Sequence, residues 1–87
     1  MLTLSAEAAA TLAAILERAE VEPDEGLRLE RAGEDLVLRL DVPREGDRII
    51  LLNGRVGVIV GARIEAEVGE SVVDLEQNAH GMRLIIR

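Results

Sequence analysis

The chain has 87 residues, a formal net charge of −7, and no Cys, Phe, Trp or Tyr. Its ten basic residues are all Arg, and it has a single His. These absences exclude disulfides, thiolate-held zinc or iron–sulfur clusters, lysine Schiff bases and aromatic stacking platforms. The negative charge disfavours binding to nucleic acid or to an anionic membrane, because both require a basic surface.

The hydrophobic fraction of 48% provides enough apolar surface for a core. The longest apolar stretch, around Ala8–Leu16, is far too short to span a membrane. No Arg precedes Arg18, so the N-terminal residues lack the basic start of a signal peptide. We therefore expect a single cytoplasmic domain over residues 1–87.

The first elements predicted along the chain are a short strand and a helix. Residues Leu2–Leu4 alternate in polarity, and Ser5 is a good helix N-cap. Apolar residues then recur at helical spacing until Pro23, which predicts a helix over Ser5–Glu20. Its apolar face comprises Ala8, Leu12, Ile15, Leu16 and Ala19.

Beyond the loop Glu22–Gly26, apolar residues recur at every second position, which is typical of strands. Two such runs flank a turn at Arg31–Asp35 and predict a β-hairpin with one apolar and one mostly charged face. The apolar positions are Leu27, Leu29, Leu36, Leu38 and Leu40.

The charged face of this hairpin carries Arg28, Glu30 and Arg39. We expect these side chains to form cross-strand pairs on a solvated surface. The alternative interpretation is that the same three residues form a face that binds a protein partner.

A second hairpin is predicted where Asn53-Gly54 separates Arg48–Leu52 from Arg55–Val60, since both turn residues tolerate positive φ. Both strands are apolar on both faces, so we expect both to be central and covered. Gly57 interrupts the second strand and predicts a bulge or a close backbone approach.

The remaining residues predict a short helix over Gly61–Val68 that ends at Gly69, and then a strand over Ser71–Gln77. A turn at Asn78–Gly81 leads to a last strand over Met82–Arg87. This order, β-α-β-β-β-β-α-β-β, predicts a mostly β domain of the α+β class, with one N-terminal helix packed on mixed or antiparallel strands.

The order of elements and several landmarks resemble the A-type iron–sulfur cluster assembly family, also called HesB-like or IscA-like. The landmarks are Leu2–Ala6, Gly26–Leu29, Gly46-Asp47, Gly54, Val68-Gly69, Val73–Leu75 and Gly81–Leu84. The resemblance implies a HesB-like fold over 1–87. It also implies iron–sulfur assembly proteins or apo-acceptor proteins as partners, and possible pairing of two copies into a homodimer.

The resemblance does not extend to the family's cluster ligands. The family carries a Gly-Cys-Ser-Gly-like loop where this chain has Arg31–Glu34, and a Cys-Gly-Cys tail beyond the last strand, whereas this sequence stops at Arg87. We therefore predict a non-enzymatic HesB-like protein with an interaction or accessory role, without a cofactor and unable to ligate a cluster through Cys.

The alternative function is a small-ligand-binding protein or enzyme that uses His80 with nearby carboxylates, since His is the common acid–base group near neutral pH. It requires a pocket with His80 at its wall; otherwise His80 is a plain turn residue. The acidic clusters match no calcium-loop pattern, so we predict no metal site and assign no catalytic residue. These clusters are Glu22, Asp24 and Glu25, and Glu65, Glu67, Glu70 and Asp74.

Overall fold

Two helices and seven strands follow one another in a computed structural model that describes all residues, 1–87. This order and the α+β class are as predicted. Neither helix is long and apolar enough to cross a membrane. The elements are β1 (Thr3–Leu4), α1 (Ala6–Ala19), β2 (Gly26–Ala32), β3 (Asp35–Asp41), β4 (Arg48–Leu52), β5 (Arg55–Val60), α2 (Ala62–Val68), β6 (Val72–Asn78) and β7 (Gly81–Ile86).

The strands form two sheets. The larger has the order β3-β2-β5-β4, and the smaller has the order β1-β6-β7. Both are mixed, because β2 pairs with β5 and β1 pairs with β6 in parallel, while the other neighbours are antiparallel. Helix α1 packs against β4 and β5 of the larger sheet and against β6 of the smaller one, so it joins the two.

Helix α1 begins where the sequence predicts, because Ser5 caps it. The Ser5 Oγ accepts a hydrogen bond of 3.0 Å from the Ala8 backbone N–H and donates one of 2.7 Å to Asp74 Oδ1. Glu7 lies in the first turn and Arg18 in the last, as the helix dipole favours. The helix ends at Glu20, which adopts the left-handed conformation.

The core is built from aliphatic side chains of both sheets and of the inner face of α1, in keeping with a chain that has no aromatic residue. Side chains of α2 pack at its margin. The central cluster comprises Leu2, Leu12, Ala13, Leu16, Leu29, Leu36, Leu52, Val58, Val60 and Val73.

The second hairpin differs from its prediction in one respect. Its turn has positive φ at Asn53 and Gly54 (52° and 77°), as expected. However, only β5 is central. The parallel pairing of β5 with β2 leaves β4 at the edge of the sheet, where Ile49 is 39% and Leu51 64% exposed. The prediction that both strands are covered is therefore wrong for β4, because an apolar pattern does not reveal which strand a distant strand will pair with.

Gly57 forms the predicted bulge. Ile50 pairs with Val58 and Leu51 pairs with Val56, so Gly57 is skipped in the ladder. A side chain there would meet Leu52 and would place its Cβ 2.7 Å from the Ile50 carbonyl oxygen. The two strands can therefore approach this closely only because position 57 has no Cβ.

Gly57→Ala is expected to lower the free energy of unfolding by about 2–3 kcal/mol, because the new Cβ has no space between β5 and β4. Urea denaturation measures the loss. Gly61→Ala is the matched control, since its Cβ meets nothing closer than 3.7 Å and should cost less than about 1 kcal/mol. Equal losses in the two variants would contradict this account of the bulge.

Candidate functional site

The guanidinium of Arg28 is buried, with 8% of the residue exposed. Its Nε donates a hydrogen bond of 2.6 Å to Asp41 Oδ2. Its Nη1 and Nη2 donate to the two carboxylate oxygens of Asp47 at 3.2 and 2.7 Å, and Nη2 also donates to the Val42 carbonyl at 3.2 Å. One side chain on β2 thus binds both ends of the loop 42–47.

This burial follows from the strand order. The loop 42–47 leaves β3 and enters β4, which lie at opposite edges of the sheet, so it must cross β2 and β5. Arg28 and Ile59 are directly opposite each other on those two strands and share a face, and Ile59 is fully buried although it is not part of the central core cluster. The expectation that Arg28 lies on a solvated face with Glu30 and Arg39 is therefore wrong, because the crossing loop covers this part of the face.

The charges of this cluster stabilise one another. The hydrogen bonds from Arg28 hold the pKa of Asp41 and the pKa of Asp47 below their usual value, helped by the backbone N–H groups of Val42 and Arg44. The hydrogen bond to Asp47 raises the pKa of Arg28 further above its already high value. All three groups stay ionised at neutral pH, and the cluster is a structural tie between β2 and the crossing loop.

An open groove of about 660 Å³ lies between the β2–β3 hairpin and α2. Val37 and Ile64 contribute apolar surface to it, and charged side chains line its walls. Arg31 Nε donates a hydrogen bond of 3.1 Å to Glu67 Oε2, which links the hairpin to α2. We call this surface the hairpin–α2 groove.

Arg63 projects from α2 into the hairpin–α2 groove; it is exposed and takes part in no ion pair of the chain. The sequence analysis did not single out Arg63, because the sequence of a short helix does not show that the helix packs beside the hairpin. The groove therefore offers one free guanidinium and one that is paired at the surface, in a protein whose net charge is −7.

Glu30 and Arg39 form the cross-strand pair that the sequence predicts. Arg39 Nε and Nη2 donate to Glu30 Oε1 and Oε2 at 2.8 and 3.0 Å, and this bidentate contact lowers the pKa of the Glu30 carboxyl. Glu30 also lines the hairpin–α2 groove. The use of Glu30 and Arg39 as a face for a partner stays a prediction.

His80 lies in the turn between β6 and β7 and is exposed. Its backbone N–H donates a hydrogen bond of 2.8 Å to Asn78 Oδ1, and its imidazole does not line the hairpin–α2 groove. No group of three or more His, Asp or Glu side chains is arranged to hold a metal ion. An acid–base role of His80 stays a prediction.

The turn Arg31–Glu34 does not fit an iron–sulfur cluster. It offers a guanidinium, a methyl group and a carboxylate, and the 87 residues contain no thiolate anywhere. Cluster irons are held by Cys thiolates, with His replacing some of them in one class, and a single exposed His does not substitute for such a set.

No family model and no curated protein matches this sequence. Solved structures do. The crystal structure of Escherichia coli SufA, involved in the biosynthesis of iron–sulfur clusters, superposes with a TM-score of 0.69 at 20% identity, over 99% of this chain and 83% of that one. The chain has the A-type, HesB-like fold. The structure of IscA with a [2Fe-2S] cluster gives a TM-score of 0.59 at 18% identity, over 100% of this chain and 84% of that one. The resemblance stated from the sequence is thus confirmed for the fold.

Arg28→Met should reduce the free energy of unfolding at neutral pH by about 3–5 kcal/mol, because it removes the only Arg partner of Asp47 in a covered site and leaves Asp41 with only the exposed Arg44 and Arg39. The difference from wild type should shrink as the pH falls below 3.8, the ordinary value for Asp. The depressed pKa values mean that the wild-type stabilisation is present above that pH and is lost as the carboxylates take up protons.

Urea denaturation across this pH range measures both effects. Arg83→Met is the control, because Arg83 forms an exposed ion pair with Glu76 outside this cluster and its removal should change stability little. A difference between Arg28→Met and wild type that grows on acidification would contradict the assignment of the ion pairs.

Proposed function

We propose that this chain is a non-enzymatic protein of A-type fold that acts by binding other proteins, as one domain and without carrying an iron–sulfur cluster. The observation that carries the proposal is the combination of a SufA-like fold over nearly the whole chain with the complete absence of Cys. The architecture is retained, and the 87 residues supply no thiolate that could hold a cluster. A role in binding is what such a scaffold can still perform.

The surface proposed for binding is the hairpin–α2 groove together with the adjoining pair Glu30–Arg39. It joins apolar surface to guanidinium groups, which is the mixture that recurs at the centres of protein interfaces. Arg63 and Arg31 could each receive a carboxylate from a partner. The partners proposed are iron–sulfur assembly proteins or apo-acceptor proteins, by analogy with the proteins that share the fold.

A cytoplasmic location is part of the proposal, supported by a charged fraction of 31%, which keeps a small domain in solution. The alternative, a ligand-binding or catalytic role of His80, is not advanced, because no observation favours it over the turn role that its exposure indicates.

Anaerobic reconstitution with iron and sulfide should leave the purified protein colourless, because no thiolate is present to hold the metal. Visible absorption and iron analysis after desalting measure the outcome, and a Cys-bearing A-type protein treated in parallel is the positive control. A stoichiometric cluster that survives desalting would refute the proposal that the chain carries none.

Capture from the native lysate should retain iron–sulfur assembly or acceptor proteins on wild-type protein. The double variant Arg31→Glu/Arg63→Glu should lose most of them, because it reverses the charges of the two exposed Arg residues that line the groove. The control is Arg18→Glu, a charge reversal at the exposed end of α1, outside the groove. Quantitative mass spectrometry measures the partner proteins retained by wild type, the double variant and Arg18→Glu. Equal amounts of partner on all three would rule out the groove as the binding surface.

A further inference from the structure

The two sheets of the domain meet where strands β3 and β7 lie close to each other. Each of these strands is an edge of its own sheet, and the two are not hydrogen-bonded to each other. The backbone N–H and C=O groups on their outer edges therefore have no backbone partner in the chain. The junction between the sheets thus combines two open strand edges.

A groove of about 360 Å³ opens at this junction. Leu12 and Leu36 are buried at its floor, whereas Val37 and Met82 are 40% and 48% exposed at its rim. The other apolar residues that line it are Ile15, Leu38, Leu75 and Leu84. We call this surface the β3–β7 groove. Its volume lies within the range of about 300–1,000 Å³ that is typical of binding pockets.

The lining of the β3–β7 groove fits an aliphatic occupant. Eight of its ten residues are apolar, and none is aromatic, so a flat ring would find no stacking partner. The floor is part of the aliphatic core, so an aliphatic side chain placed in the groove would extend that core. The unbranched side chain of Met82 can adapt at the rim to the shape of such a group.

The charges beside the groove are not balanced. Asp35 lines it and Glu34 precedes Asp35 in the hairpin turn; both are exposed. Neither carboxylate takes part in an ion pair of the chain. The only basic residue of the lining, Arg83, is bound to Glu76 at 3.3 Å. The groove therefore presents free negative charge beside apolar surface, in a protein whose net charge is −7.

We propose that the β3–β7 groove binds a short extended segment of another protein, one that carries aliphatic side chains beside basic residues. The aliphatic side chains lie in the groove, and the basic side chains contact Glu34 and Asp35. The open edges of β3 and β7 favour an extended segment over a helix, because a helix already pairs its backbone groups internally.

This surface differs in charge from the hairpin–α2 groove, although Val37 contributes to both. The hairpin–α2 groove presents the free guanidinium of Arg63 and suits an acidic partner, whereas the β3–β7 groove presents carboxylates and suits a basic one. The inference therefore goes beyond the proposed function and does not rest on it.

Nuclear magnetic resonance titration of the isotope-labelled full chain tests the proposal. The probe is the capped peptide Lys-Leu-Val-Leu-Lys, which should shift the signals of Val37, Met82 and Leu84 with a Kd of about 1 mM or below. The peptide Glu-Leu-Val-Leu-Glu lacks the basic charge, and Lys-Ser-Val-Ser-Lys lacks the aliphatic anchors. Each should bind at least about tenfold more weakly, a difference of one decade in Kd.

The double variant Glu34→Lys/Asp35→Lys should reverse the preference, because it replaces the two free carboxylates with ammonium groups. It should lose the basic peptide and bind the acidic one. The matched control is Glu22→Lys/Asp24→Lys, which changes the net charge equally at two exposed residues outside the groove and should still bind the basic peptide. Circular dichroism verifies that both variants are folded.

The proposal is overturned if the basic peptide does not bind wild type at millimolar concentration, or if the acidic peptide binds it equally well. Pentylamine that binds as tightly as the peptide would assign the groove to a small aliphatic amine instead. Groove signals that shift with protein concentration alone would assign it to a second copy. Arg31→Glu/Arg63→Glu should bind the basic peptide as wild type does, so that failure of this inference and failure of the proposed function are distinguishable.

Discussion

The buried guanidinium of Arg28 fixes the segment that joins the two edges of the larger sheet. The chain leaves the sheet at β3 and re-enters it at β4, and the loop between them has no regular secondary structure of its own. Asp41 and Asp47 stand at its two ends, and one side chain binds both. Without that contact the loop would have no polar anchor on the face that it crosses, and Ile59 would lose its cover. This ion-pair cluster therefore holds the connection that the strand order requires between β3 and β4.

How much of this fold the sequence predicts depends on how far apart along the chain the interacting residues lie. Helix α1 and the β2–β3 and β4–β5 hairpins follow from local signals, namely the Ser5 cap, the alternation of Leu residues and the Asn53-Gly54 turn, and the structure confirms them. The parallel pairing of β2 with β5 brings together residues that are far apart in sequence, and no local pattern specifies it. The edge position of β4 was missed for that reason.

The candidate site shows the same limit. Alternation correctly placed Arg28, Glu30 and Arg39 on one face of the hairpin, and Glu30 does pair with Arg39. It could not show that a later loop covers one end of that face and leaves the other open. The sequence did contain a usable signal. Arg28 lies inside a predicted strand, and Asp41 and Asp47 flank the later loop that contains Pro43 and Gly46. Two carboxylates at the ends of one loop can bind a single buried guanidinium. Arg63 gave no comparable signal, because its position depends on how α2 packs.

The hydroxyl of Ser5 has a consequence for motion. It accepts from the first turn of α1 and donates to Asp74 on β6, and Asp74 in turn accepts from Arg87 just beyond β7 at 2.8 Å. The first turn of the helix cannot unwind without releasing the carboxylate that anchors β6, and β6 cannot separate without freeing the cap. Fraying of the helix and detachment of the small sheet are therefore one cooperative opening, and their amide protons should exchange with solvent together.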